Sequence, residues 1–152
     1  MSDTQALKRL LDLEEIRDLA RRYAHCVWQR DAEGAAAVFA EDGEMDTGDR
    51  PPIRGREAIR TSYEEIFRSQ EFRPMVHNHV IDLDGESATG TCYLDVRAHL
   101  DGADKVGLGF YRDRYVRTTD GWKFRSRRLT LHAFVDAGER IDSRGAREAD
   151  AT

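Results

Sequence analysis

The sequence predicts an α+β fold in which three N-terminal helices pack on a strongly curved, mainly antiparallel sheet. Two observations predict it. Apolar residues recur at helical spacing in the first half of the chain, and β-rich runs separated by Asp-Gly pairs fill the second half. Helices followed by a meander of strands are typical of α+β proteins. The 152 residues are expected to form one domain over 5–135, with a flexible, charged tail over 136–152.

Three helices are predicted before the strands. The first is long and amphipathic, because its apolar residues recur every three or four positions. The second is short and rich in alanine, and the third follows a loop marked by Gly, Asp and two prolines. The expected bounds are Thr4 or Asp3 to about Gln29 for the first, Asp31 through Phe39 to Gly43 for the second, the loop at Thr47–Pro52, and Gly55 to before Pro74 for the third.

Four strands are predicted after the helices. Asp-Gly pairs separate them, which indicates hairpins with type I′ turns. Gly107 and Gly109 lie inside the third strand and predict a bend or bulge there. If the sheet curves strongly, the helices cannot fill its concave face, and a pocket remains. The strands are expected over residues 76–83, 87–100, 105–117 and 122–135.

Composition excludes several classes of function. The net charge is -5, so nucleic acid is not an expected partner, because phosphate binding requires uncompensated Lys and Arg. Cys26 and Cys92 form no metal or disulfide motif. No apolar run approaches the roughly 20 residues that span a bilayer. The first residues lack the pattern of a signal peptide, and we expect a cytoplasmic protein without membrane partners.

Short motifs recur in one order along the chain. They are Arg22-Tyr23-Ala24, Val38-Phe39-Ala40-Glu41-Asp42, Gly55-Arg56-Glu57-Ala58-Ile59, Asn78-His79-Val80-Ile81, Tyr93-Leu94, Gly121-Trp122-Lys123-Phe124 and Arg127-Arg128. Together they span about residues 10–132. This pattern resembles the nuclear transport factor 2-like superfamily, specifically its SnoaL-like branch of polyketide cyclases, dehydratases and ketosteroid isomerase-like proteins. The resemblance implies a cone-shaped, cystatin-like α+β roll but no particular reaction, because the fold hosts many functions.

The resemblance also implies a catalytic pair that this chain lacks. Family enzymes that eliminate water or HCl, or that isomerise a double bond, use an Asp five residues after a Tyr and a His four residues before an Asn. Tyr23 and Asn78 match the Tyr and the Asn. Trp28 then stands at the Asp position and Pro74 at the His position. The elimination mechanism of the family is therefore not expected here.

Three residues remain as catalytic candidates. Tyr23 could donate a hydrogen bond to a substrate oxygen, although it could equally be a core tyrosine with a satisfied hydroxyl. Asn78 could stabilise an enolate. If Asn78 faces the cavity, strand alternation turns His77 and His79 outward, and a one-residue bulge would reverse this. His79 would then be a candidate general base.

Large apolar residues are expected to line the pocket, although a plain core would use them equally well. Arg128 has the same strand parity as Trp122 and Phe124, so it is expected to face a ligand carboxylate or enolate. His77 and His79 could bind a metal, but no third ligand is evident, and we expect neither metal nor cofactor. The expected lining residues are Val27, Trp28, Phe39, Tyr63, Phe67, Leu94, Val96, Phe110, Trp122 and Arg128.

Two functions are compatible with these residues. The first is a cofactor-independent lyase or isomerase, similar to a dehydratase, that acts on an apolar cyclic substrate. The second is a non-catalytic ligand-binding or accessory protein that works as a homodimer through the outer face of its sheet. In both, the expected partner is a small apolar or cyclic organic molecule.

Overall fold

Three helices and a six-stranded sheet make up the fold, and a two-stranded ribbon follows them. The computed structural model describes residues 1–138, 140–141 and 147–148. The expected tail over 136–152 therefore lies largely outside the described residues. The elements are α1 (Asp3–Trp28), α2 (Ala32–Ala37), β1 (Phe39–Asp46), β2 (Ile53–Arg54), α3 (Arg56–Phe67), β3 (Glu71–Asp84), β4 (Ser87–Leu100), β5 (Ala103–Thr118), β6 (Gly121–Asp136), β7 (Arg140–Ile141) and β8 (Arg147–Glu148).

The sheet has the strand order β2-β1-β6-β5-β4-β3. All neighbours are antiparallel except β1 and β6, which are parallel. The helices cover one face of this sheet, and the apolar core lies between them and the strands. The predicted α+β class is confirmed. In the described part of the chain, no helix combines the length and the apolar character that a membrane crossing requires.

The first helix begins slightly earlier than predicted. Ser2, rather than Thr4 or Asp3, is the N-cap: its hydroxyl accepts a hydrogen bond from the backbone N–H of Gln5. The Gln5 side chain in turn accepts from the backbone N–H of Ser2 at 2.8 Å, which completes a capping box. The helix ends at Trp28, close to the predicted boundary.

The prediction for the second helix is right at its start and wrong at its end. Asp31 is the N-cap, and its carboxylate accepts from the N–H of Gly34 at 2.9 Å. The helix stops at Ala37, and β1 begins at Phe39 instead of a further helical turn. Pairing of Phe39 with Phe124 on β6 buries both rings completely, and this tertiary contact outweighs the helical preference of the alanine-rich run.

The three predicted Asp-Gly turns differ in geometry. Asp101 and Gly102 have φ values of 51° and 81°, as a type I′ turn requires, so this prediction is confirmed. At the other two sites only the glycine has a positive φ. Gly85 starts the two-residue loop between β3 and β4, and Gly121 follows the loop between β5 and β6. The hairpins are thus where the sequence predicts them, with different turn chemistry.

Bulges interrupt the alternation of the strands. Next to Gly109, β6 has one more residue than β5, which confirms the bulge predicted there, and a second extra residue occurs at Arg125. On β3, His77 and Asn78 together oppose Tyr93 of β4. Because side chains alternate with a period of two, each extra residue moves the following side chains to the other face of the sheet.

Candidate functional site

A cavity of about 220 Å³ lies between the helices and the concave face of the sheet. Its walls are mostly apolar and aromatic side chains from α1, α3, β1, β3, β4, β5 and β6. It is larger than the apolar cavities of about 150 Å³ that bind benzene in other proteins. The cavity therefore has room for a molecule of one or two rings.

Two tyrosine hydroxyls meet at the wall of this cavity. Tyr23 on α1 and Tyr63 on α3 both line it, and their hydroxyl oxygens are 2.5 Å apart. Burial raises the pKa of each phenol, so both stay protonated at neutral pH. One O–H donates to the other oxygen, which leaves the second O–H free to donate to a ligand. The pair can therefore polarise a carbonyl or hold a hydroxyl oxygen.

The polar end of the cavity comes from a single loop. Thr47, Asp49 and Arg50, all between β1 and β2, line the cavity. Asp49 is the one carboxylate among the described residues that line it. The loop therefore brings a negative and a positive charge to the mouth of an otherwise apolar chamber.

A buried ion pair supports the floor of the fold behind the tyrosines. Arg127 on β6 is fully buried, and its Nε and Nη2 donate to the carboxylate of Asp113 on β5 at 2.9 and 3.0 Å. The Tyr115 hydroxyl donates to the same carboxylate at 3.0 Å. Because that hydroxyl hydrogen is used, the hydroxyl oxygen accepts from His79 Nε2 at 2.7 Å. These four side chains form one continuous polar network.

The guanidinium of Arg127 also fixes the aromatic wall. Its Cζ lies 3.7 Å from the ring centre of Tyr111, 4.3 Å from that of Phe124 and 4.7 Å from that of Tyr23. Cation–π contacts of this kind are strong where water is excluded. Two of the three rings, Tyr23 and Tyr111, line the cavity, so the charge of Arg127 orients the wall without touching the ligand space.

The family model for the SnoaL-like domain matches residues 8–128, most of the chain. The chain belongs to the SnoaL-like family. Among curated proteins, none matches it. The SnoaL-like resemblance inferred from the sequence is thus confirmed, and with it the nuclear transport factor 2-like fold.

Solved structures share the fold of this SnoaL-like domain. A protein of unknown function from Mycobacterium tuberculosis is 29% identical, with a TM-score of 0.75 over 86% of this chain and 76% of that chain. An NTF2-like protein with a cystatin-like fold from Novosphingobium aromaticivorans is 25% identical, with a TM-score of 0.73 over 84% and 86%. A proposed scytalone dehydratase from the same species is 23% identical, with a TM-score of 0.76 over 87% and 91%.

In this SnoaL-like domain, the two positions of the missing catalytic pair contact each other. The indole Nε1 of Trp28 donates to the carbonyl oxygen of Pro74 at 2.7 Å. Pro74 lines the cavity, and Trp28 is 43% exposed beside it. A hydrogen bond between helix and strand therefore occupies the place where the family resemblance implies an Asp–His pair.

The structure divides the predicted lining residues into two groups. Val27, Tyr63, Phe67, Leu94 and Val96 line the cavity, as does the catalytic candidate Tyr23, whereas Trp28, Phe39, Phe110, Trp122 and Arg128 do not. Phe110 packs beside Tyr93 on the outer face of the sheet. Trp122 is buried where α1 meets the sheet and donates to Asp12 at 3.1 Å. These side chains belong to the core or the surface.

The orientation expected for Arg128 is wrong, because the bulge at Arg125 reverses the parity of β6. Arg128 is exposed and contacts Asp46 at 3.4 Å, while Arg127 faces inward. The buried ion pair was not predicted from the sequence: Arg127 was named only within the Arg127-Arg128 motif, and Asp113 was not named. The sequence does contain a signal for the orientation of Arg127. Leu129 and Leu131 follow it at steps of two, so Arg127, and not Arg128, shares their apolar face.

The bulge on β3 places the other two catalytic candidates away from the cavity. Asn78 is exposed, and His79 turns inward to Tyr115, but neither lines the cavity. Burial lowers the pKa of His79 to about 4, so its imidazole is neutral at physiological pH. His77 points outward and contacts Asp95 at 2.6 Å. The part of the chain that the structure describes contains no cluster of residues suited to a metal ion.

Proposed function

We propose that this protein binds a small, mostly apolar cyclic molecule that presents one oxygen to the Tyr23–Tyr63 pair. The hydroxyl contact of 2.5 Å at the cavity wall carries the proposal. The apolar walls supply affinity through burial, at roughly 25 cal/mol per Å² of apolar surface removed from water. The free O–H of the pair supplies specificity, because it would lose its hydrogen bond to water when a ligand without an acceptor fills the cavity.

Replacement of Tyr23 by Phe tests this proposal. We expect wild-type protein to bind α-tetralone, a bicyclic ketone, more tightly than tetralin, which has the same rings and no oxygen. The variant should lose about fivefold in affinity for the ketone, because one hydrogen bond contributes about 1 kcal/mol, and it should lose little affinity for tetralin. Isothermal titration calorimetry measures both.

Tyr93→Phe is the matched control, since Tyr93 is 44% exposed and does not line the cavity. It should leave both affinities unchanged. Equal affinity of the wild type for tetralin and α-tetralone would show that the tyrosine pair does not recognise an oxygen, and absence of binding to either would remove the proposal.

A catalytic role for the same site is the second candidate, and Asp49 at the mouth favours it. The tyrosine pair would donate a hydrogen bond to a carbonyl oxygen while Asp49 accepts a proton from the adjacent carbon, which gives an enolate stabilised by that hydrogen bond without any cofactor. Return of a proton to another carbon would isomerise the substrate. Loss of a neighbouring hydroxyl as water would instead be a dehydratase reaction, the activity in the description of one structural neighbour.

Exchange of hydrogen for deuterium separates catalysis from binding. If the second candidate is right, the protein should accelerate exchange of the protons next to the carbonyl of α-tetralone in D2O, measured by NMR. Asp49→Asn should lower that rate by about 100-fold or more, as expected for loss of a general base. Asp42→Asn is the control, because Asp42 is exposed and pairs with Arg125. Exchange no faster than in buffer alone would leave the binding function only.

The homodimer through the outer face of the sheet stays a prediction. That face exposes Met75, Val80 and Tyr93, which are apolar side chains suited to a contact between copies.

A further inference from the structure

The charged residues that line the cavity belong to one loop. The deep walls are apolar apart from tyrosine hydroxyls, and the charged lining residues, Asp49 and Arg50, both belong to the loop between β1 and β2. A ligand that fills this space therefore has an apolar body, and any charge it carries must lie at the mouth, where water and these two side chains can compensate it.

The loop holds these residues in a defined position. β1 and β2 pair through Glu44 with Arg54 and Met45 with Ile53, so the loop closes a short hairpin. Inside it, the N–H of Gly48 donates to the carboxylate of Asp46 at 2.9 Å, and Gly48 has a φ of 80°. Backbone pairing and this local turn thus place the side chain of Arg50 at the cavity without any contribution from a ligand.

The two charges of the loop differ in their partners. Asp49 accepts a hydrogen bond from the hydroxyl of Thr47 at 2.5 Å. Arg50 makes no hydrogen bond to any described residue, and its one ion contact joins its Nε to Asp49 at 3.8 Å, near the limit for an ion pair. By contrast, Arg60 on α3 bonds two carboxylates at 2.5 and 3.0 Å. The planar donor edge of Arg50 is therefore free for a ligand.

We propose that the ligand is a cyclic carboxylic acid whose carboxylate pairs with Arg50 at the mouth while its ring occupies the apolar chamber. This inference rests on the proposed function and adds the chemical class of the ligand. A guanidinium matches a carboxylate by two parallel N–H···O bonds, which a neutral ester cannot accept with the same strength. A second oxygen on the ring would accept a hydrogen bond from the Tyr23–Tyr63 pair.

The experiment compares para-acetylbenzoate with its methyl ester, which has the same ring and ketone but no charge. By titration calorimetry, wild-type protein should bind the acid about tenfold more tightly than the ester, a preference that decreases as salt is added. Arg50→Gln should abolish the preference by weakening the acid only. Arg54→Gln is the matched control, because Arg54 is 79% exposed, lies just beyond the loop and does not line the cavity.

The outcomes separate this inference from the function on which it rests. Equal affinities for acid and ester in the wild type would contradict the proposal that the ligand is a carboxylic acid. If the protein still binds α-tetralone, the proposed binding function would stand. Preference for para-acetylbenzylamine over the ester would show that Asp49 selects a cation, which also overturns it. An equal loss for acid and ester in Arg50→Gln would mean that Arg50 only supports the loop. No binding of any of these ketones would overturn both proposals.

Discussion

Asp113→Ala is expected to destabilise the domain by about 3–5 kcal/mol, since it leaves a buried charge without its partner. Arg127 is fully buried, and Asp113 is 3% exposed. Asp113 receives both of the hydrogen bonds that Arg127 makes to a carboxylate, and the Nη1 of Arg127 is already buried without a partner. The Tyr115 hydroxyl loses its acceptor in the same variant.

Urea denaturation of three variants tests that expectation. Asp95→Ala is the matched control, because Asp95 also forms a charged contact, with His77, but its side chain is 55% exposed. It should change the free energy of unfolding by less than about 1 kcal/mol. The double variant Asp113→Leu with Arg127→Met should recover much of the stability, because an apolar pair fills the space without an unpaired charge. A loss below about 1 kcal/mol for Asp113→Ala would contradict the argument.

Gly109→Ala is the second change with a large expected effect. A Cβ at this position would lie 2.0 Å from the carbonyl oxygen of Thr130 and 2.9 Å from the Cα of Leu131. Both are backbone atoms, so β5 and β6 must separate at the bulge. We expect a loss of about 3 kcal/mol, at the upper end of the usual cost of overpacking.

The same variant should also reshape the cavity. Leu131 lines it directly beside the bulge, so displacement of β6 would move part of the wall. Gly85→Ala is a useful comparison: Gly85 has a φ of 62° and no atom near the new Cβ, so only backbone strain of about 1–2 kcal/mol is expected. Thermal denaturation of both variants, with α-tetralone binding as a second measurement, distinguishes a steric clash from strain. Equal and small losses would contradict the clash.

Alternation predicted the sheet well wherever the strands are regular. In β4 the residues Ala88, Cys92, Leu94, Val96 and Ala98 occupy alternate positions, which predicts one shared face, and all are buried. This works because a strand with one apolar face has a period of two and β4 contains no extra residue of its own. The helices were equally predictable, since amphipathic spacing and capping residues are local properties of the sequence.

The candidate site was harder to predict because its key features are not periodic. Because of the extra residue at Arg125, Arg127 faces the interior where the sequence predicted Arg128. Because of the bulge on β3, His79 faces the interior where the sequence predicted Asn78. A bulge of this kind depends on pairing with a neighbouring strand that is distant in sequence. Asp49 and Arg50 were not predicted to line the cavity. They lie in a loop, and a loop has no hydrophobic periodicity that shows which way its side chains point.

Pro74 has a consequence for self-association. It lies in β3, which is one of the two edge strands of the sheet and is 14 residues long, a length that could template the growth of aggregates strand by strand. Proline has no N–H to offer an incoming strand, its carbonyl oxygen is engaged by the Trp28 indole, and the irregularity at His77 and Asn78 interrupts the straight edge a few residues later. The residues at the positions of the family's catalytic pair thus also disfavour strand-by-strand polymerisation along this open edge.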